Sequence, residues 1–178
     1  LLIGVTQIYQ MNIAVLAGGD SSEFQISVKS GKEIQKWLEK AGLTSYLVIV
    51  QGNSWTVKNG ETEHALDMNT FGFSEGKKKT RFDYVWNVIH GTPGEDGKVQ
   101  GYLDLMGIPY SCSGLLSSAL TFDKSVSKAY LKQFGVLTAE WSLLKRDEEY
   151  NIEEIIESVG LPCFVKPNRG GSSFGTTK

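Results

Sequence analysis

The chain has 178 residues, of which 40 % are hydrophobic and 21 % charged, and its formal net charge is −2. That balance describes one large globular domain or two small ones, and it excludes disordered, collagen-like, coiled-coil and disulfide-scaffold chains. No apolar run approaches the roughly 18 residues a membrane-spanning helix needs, and the charge gives no general pull toward nucleic acid or anionic lipid.

Residues 1–10 carry no positive charge and no small-residue cleavage site, so they do not read as a signal peptide. Met11 precedes an apolar strand over residues 12–17, which makes it the expected natural start and residues 1–10 a non-native leader. That strand ends in Gly18-Gly19-Asp20-Ser21-Ser22-Glu23. Val28, Gly31, Ile34, Leu38 and Ala41 then recur at helical spacing, closed by Gly42. Residues 44–50 read as a buried strand, and residues 55–63 as a hairpin turning on Asn59-Gly60. His64 reads as a solvated side chain, and the basic run Lys77-Lys78-Lys79-Thr80-Arg81 as a solvated loop. Residues 83–89 form a further buried strand breaking at His90-Gly91, and residues 98–106 a helix stopping at Gly107. This order implies a parallel sheet that takes ligands at the carboxyl ends of its strands.

The pattern changes after Ser113-Gly114, where a domain boundary is expected near residue 114. Residues 117–134 read as helix, with Val126, Ala129, Tyr130 and Phe134 on one face, and Gly135 follows. Residues 139–144 read as a strand, 152–159 as a short helix, and 161–166 as a strand running into Gly170, Gly171 and Gly175. Cys112 and Cys163 have no metal spacing, so reduced thiols in a cytoplasmic protein are expected.

Four segments carry the chemistry. Residues 90–101 place four glycines, Glu95, Asp96 and one of the chain's two histidines at a strand-to-helix turn, which points to a substrate site rather than a bland loop. Residues 166–175 offer the Lys166 ammonium, free backbone N–H groups and two hydroxyls, the parts of a polyphosphate cradle; a flexible hairpin is the alternative. They are not a Walker loop, because the lysine precedes the glycines. Asp123 is able to cap a helix whose N-terminus, with Lys124, attracts anions; a merely solvated lysine is the alternative. Glu23 either holds a ligand's ammonium or caps the helix that follows it.

Together these segments resemble the D-alanine–D-alanine ligase family of ATP-grasp enzymes. Residues 90–101 fit its signature H-G-x-x-G-E-D-G-x-x-Q-G at every fixed position, and Gly18-Gly19, Ser22-Glu23, Lys124 and Val165-Lys166-Pro167 follow the family layout. The resemblance implies an α/β fold: a Rossmann-like parallel-sheet substrate-binding domain over residues 11–114, then the first, incomplete α+β part of an ATP-grasp domain over 115–178. It implies ATP-dependent joining of two D-alanines through an acyl phosphate, for peptidoglycan synthesis in the cytoplasm. Glu23 and Ser172 become the expected catalytic residues, with Glu23, His90 and Ser172 binding substrate. Lys124, Lys166, Gly171, Ser172 and Ser173 are expected to bind ATP. Mg²⁺ is an expected cofactor with no ligand assigned in this chain, and a homodimer is expected, with no nucleic-acid or membrane partner.

Two departures stand out. Glu23 is followed by Phe24-Gln25-Ile26 where the family often has Arg-Glu-Val, and Gly170 stands where glutamate is frequent. The family's adenine pocket, metal-binding residues and ω-loop have no counterpart in these residues, so this chain alone is expected to be inactive. A D-alanine–D-lactate or D-alanine–D-serine ligase, or a non-catalytic nucleotide- or amino-acid-binding module, are the competing readings. An NAD-linked module is disfavoured by the missing G-x-G-x-x-G spacing.

Overall fold

Alternation along the first strand sets the architecture. In β1 (Asn12–Gly18), Ile13, Val15 and Ala17 point to one face and Ala14 and Leu16 to the other, all buried. A strand apolar on both faces belongs in the middle of a covered sheet. The computed structural model, which describes residues 11–178, puts it there; the expected leader, residues 1–10, lies outside the described residues. β1 pairs in parallel with β2 (Thr44–Gln51) on one side and β7 (Tyr84–Asn87) on the other. The hairpin of β3 (Ser54–Asn59) and β4 (Thr62–Ala65) adds two antiparallel strands, giving the order β4-β3-β2-β1-β7. Asn59 ends β3 instead of entering the turn, and Gly60, at φ +59°, begins a two-residue loop with Glu61.

One face of the sheet is covered by α1 (Phe24–Lys40), through Leu38 and the half-buried Ile34. Gly31 permits this approach, since a Cβ there would lie 2.7 Å from the Ala17 Cβ and 2.9 Å from Leu47 Cδ1. The other face holds Val99 and Leu103 of α2 (Lys98–Met106) and an aromatic cluster of Tyr46, Phe71, Phe73 and Phe82. The fold class expected from the sequence is therefore present, as a mixed sheet with a parallel centre.

Two expectations in this region are corrected. The basic run is a strand, β6 (Lys78–Arg81), paired with β5 (Gly72–Glu75). The apolar residue that anchors this hairpin is Phe73 on the partner strand, so the run's own composition did not disclose it. His64 is mostly shielded, its ring centroid 5.1 Å from that of Phe73 and its Nε2 3.0 Å from the Thr62 hydroxyl.

The chain divides into two compact units between Ala119 and Leu120. α3 (Leu115–Phe122) spans that division, and the second unit contains α4 (Lys124–Lys132) and α5 (Ile152–Val159). The single helix expected over 117–134 is interrupted at Asp123, whose extended backbone (φ −92°, ψ 108°) ends one helix while its side chain caps the next. The strands expected at 139–144 and 161–166 do not form; only Val165 makes a β-bridge, to Thr177. A strand requires a neighbour to take its N–H and C=O groups, and among the described residues these segments have no strand beside them. No described helix is long and apolar enough to cross a membrane.

Candidate active site

The first unit brings two turns together at the carboxyl ends of β1 and β7. Gly18 and Gly19, at φ +101° and +95°, turn the chain out of β1, and a Cβ on Gly18 would lie 2.5 Å from the Val50 carbonyl oxygen. The buried Ser27 hydroxyl accepts from the Gly18 N–H (2.8 Å) and donates to the Val88 carbonyl (2.7 Å), tying the two strand ends. Asp20 N–H donates to the Thr92 carbonyl at 2.8 Å, and Ser21 Oγ to that of His90 at 2.7 Å. Glu23 is the half-buried N-cap residue of α1, but its carboxylate makes no capping bond, which disfavours the capping alternative.

Within residues 90–101 most of the polar side chains serve the loop itself. Glu95 Oε2 accepts from the Gly91 N–H at 2.7 Å. Asp96 Oδ2 accepts from the Thr92 hydroxyl at 2.6 Å and pairs with the Lys98 ammonium at 2.7 Å. Burial pushes the Asp96 carboxyl up, but the Lys98 and Thr92 bonds outweigh it and hold it below its ordinary value. The adjacent carboxylates thus act as loop braces. Behind them Gln100, 1 % exposed, donates to the Gly94 carbonyl at 2.6 Å, and Asn87 Nδ2 donates to the same oxygen at 2.9 Å. His90 stands half-buried where the strand ends.

In the second unit the anchor is Asp123. Its Oδ1 accepts from the Val126 N–H (3.1 Å), the Ser125 hydroxyl (2.7 Å) and Asn168 Nδ2 (2.8 Å), while Oδ2 meets Arg169 Nε at 2.9 Å. The Val126 and Ser125 bonds, then Arg169 and Asn168, hold its carboxyl far below the usual carboxylate range despite burial. This node fastens the start of α4 to the turn after Lys166. Lys124 Nζ donates to the Gly170 carbonyl at 2.8 Å, and Asn168 Oδ1 accepts from the Ser125 N–H at 2.9 Å. Two hydrogen bonds between Val165 and Thr177 close the loop. At its tip Ser172 and Ser173 both adopt positive φ, +48° and +58°. Such backbone costs about 1–3 kcal/mol per residue and is characteristic of ligand clamps. Gly171 is half-buried, while Ser172 and Ser173 are exposed. Lys166 is exposed, its ammonium 5.5 Å from the centre of the Phe164 ring.

Comparison with known proteins decides the family. Residues 12–113 match the family described as D-ala D-ala ligase N-terminus, and residues 130–178 match D-ala D-ala ligase C-terminus. The chain belongs to the D-alanine–D-alanine ligase family. It is 49 % identical over 167 residues to the D-alanine–D-alanine ligase of Bacteroides thetaiotaomicron, covering 93 % of this chain and 52 % of that protein. It superposes on D-alanyl-alanine synthetase A from Vibrio cholerae with a TM-score of 0.81 at 32 % identity, covering 95 % of this chain and 51 % of that one. The VanG D-Ala:D-Ser ligase from Enterococcus faecalis gives a TM-score of 0.73 at 29 % identity, covering 94 % and 55 %. The chain therefore spans about half the length of the relatives it matches.

In this ligase-family chain, Glu23 and His90 lie on adjoining turns of the first unit. Lys124, Gly171, Ser172 and Ser173 lie on the clamped loop system of the second, with Lys166 at that loop's base. Sequence reasoning missed Asn87, Asn168 and Arg169. Asn87 carries no signal beyond its place at the end of a buried strand. Asn168 and Arg169 were legible only as neighbours of Lys166, because their partner Asp123 is more than forty residues away.

Proposed function

We propose that the protein carrying this chain joins two D-alanines at the expense of ATP, in the cytoplasm, to supply peptidoglycan synthesis. The observation that carries this reading is the family signature at residues 90–101, matched at every fixed position and braced so that His90 and Glu23 lie on adjoining turns. Glu23 holds the ammonium of the first D-alanine, with His90 at the same substrate end. Ser172 joins the hydrogen bonds near the reacting carboxylate. A carboxylate oxygen of the first D-alanine attacks the γ-phosphorus of ATP and ADP leaves. The amine of the second D-alanine then attacks the acyl carbon, loses a proton and expels phosphate.

The second unit suits a polyphosphate. Ser172 and Ser173 at positive φ, next to Gly171, give the loop the left-handed backbone of turns whose N–H groups bind anions. Lys166 and Lys124 supply the positive charge that stabilises a transferring phosphoryl group, and Gly171, Ser172 and Ser173 close over it. Lys124 is held in reserve on the Gly170 carbonyl. Among the described residues no group of three or more His, Cys, Asp or Glu side chains is placed to hold a metal ion, so no step is drawn through Mg²⁺ from this chain. A homodimer completes the reading.

The likeness to the D-Ala:D-Ser ligase favours D-serine as an alternative second substrate; D-lactate is a further alternative. The deciding experiment completes this chain with the remaining half of the Bacteroides thetaiotaomicron relative. ATP-dependent phosphate release is then measured with D-alanine alone, and with D-alanine plus D-serine or D-lactate. Release with D-alanine alone supports the reading. Release only with a second partner selects the alternative, and binding without turnover selects a non-catalytic module.

A further inference from the structure

One hydroxyl touches the backbone of both residues assigned to the amino-acid end of the site. Ser21 Oγ donates to the His90 carbonyl at 2.7 Å and accepts from the Glu23 N–H at 3.2 Å. A hydroxyl has one proton to give, and here donor and acceptor are committed to the two different turns. Ser27, to Gly18 and Val88, and Asp20, to Thr92, fasten the strand ends and the loop beyond. The seat is also shaped for this side chain. Gly91 has φ +76°, and a Cβ built there would lie 2.8 Å from the Ser21 Cβ and 3.2 Å from its hydroxyl. A larger residue at 91 would displace Ser21 from the one place where it reaches both partners.

We propose that Ser21 is a positioning residue: its hydroxyl sets the separation of Glu23 and His90, and through it the affinity of the site for an α-amino acid. This rests on the reading above, in which Glu23 and His90 hold the first D-alanine. Without the hydroxyl, the Glu23 N–H and the His90 carbonyl lose their common partner, and the two turns drift by a fraction of an ångström to an ångström. Displacements of that size at a positioned group cost on the order of ten- to a hundredfold.

The test uses the ¹⁵N-labelled chain completed with the remaining half of the Bacteroides thetaiotaomicron relative, titrated with D-alanine and followed by the amide resonances of Glu23 and Gly91. Ser21→Ala is expected to shift both amides before any ligand is added and to weaken D-alanine binding roughly tenfold, with the melting curve showing a folded chain. Ser21→Thr, which keeps the hydroxyl, is expected to restore most of the affinity. Ser22→Ala, at the exposed neighbouring position, is expected to leave the Gly91 amide and the affinity for D-alanine unchanged. Binding by Ser21→Ala within twofold of wild type, or an equal loss in Ser22→Ala, overturns the inference. Glu23→Gln separates the two levels. If it loses binding while Ser21→Ala does not, the inference alone fails. If it binds as well as wild type, or the completed wild-type chain does not bind D-alanine, the reading of the site and the role of Ser21 fall together.

Discussion

Among the described residues the two units bury different kinds of side chain. In the first, the buried residues are mostly apolar, and Leu16, Val48, Phe71 and Leu103 are wholly or almost wholly out of solvent. In the second, the buried residues among those described are Asp123 and Ser125, both polar, while Leu137 is 97 % exposed and Phe174 70 %. One unit is stabilised by apolar area removed from water, worth about 1.5–3 kcal/mol for each large side chain. The other is organised by hydrogen bonds converging on one carboxylate, each worth about 1 kcal/mol net. The residues proposed to hold the amino acid sit on turns braced by a packed sheet, and the proposed phosphate loop sits on a polar node.

The sharpest way to break this contrast is to remove a core side chain. Leu16→Ala is expected to destabilise the first unit by about 3–4 kcal/mol, read by thermal or urea unfolding. A cost below about 1 kcal/mol would mean the sheet is not the unit's main support.

Asp123→Ala is expected to cost the second unit about 2–3 kcal/mol by removing a helix cap and three side-chain partners. Amide exchange should accelerate in residues 124–132 and 166–177 while β1 and β2 stay protected. Equal acceleration in both units would show that they are not stabilised separately.

Gly91→Ala is expected to cost about 1–3 kcal/mol, because an L residue at φ +76° is strained and its Cβ meets Ser21. Acid sensitivity follows from Asp123. Its carboxyl has an ordinary value of 3.8 and lies well below it in the folded chain, so below about pH 4 the unfolded state binds the extra proton. The stabilisation is complete above that value and declines as pH falls through and beneath it. The second unit should therefore lose protection on acidification from pH 5 to pH 2, and Asp123→Asn should flatten that dependence. The smallest effect belongs to Leu137→Ser, expected to stay within about 0.5 kcal/mol, since that side chain has little burial to lose.

The sequence by itself determined much of the first unit. The continuous apolar run of residues 13–17, helical spacing from Val28 to Leu38, and the glycines at 18–19 and 90–101 are local signals, and each specifies its element without help from distant residues. It also carried the family, because residues 90–101 are a contiguous string. What only tertiary structure decided depends on partners far apart in the chain. Lys78–Arg81 is a strand because Phe73 anchors its neighbour, and residues 139–144 are not, because no strand among the described residues lies beside them. Glu95 and Asp96, part of the string that pointed to a substrate site, spend their carboxylates bracing their own loop. Asp123 is an anchor only because Asn168 and Arg169 arrive beside it, and Ser21 joins Glu23 to His90 only because β1 and β7 run parallel as neighbours. Propensity and periodicity are properties of a segment; pairing, burial and hydrogen-bond partnership are properties of the fold.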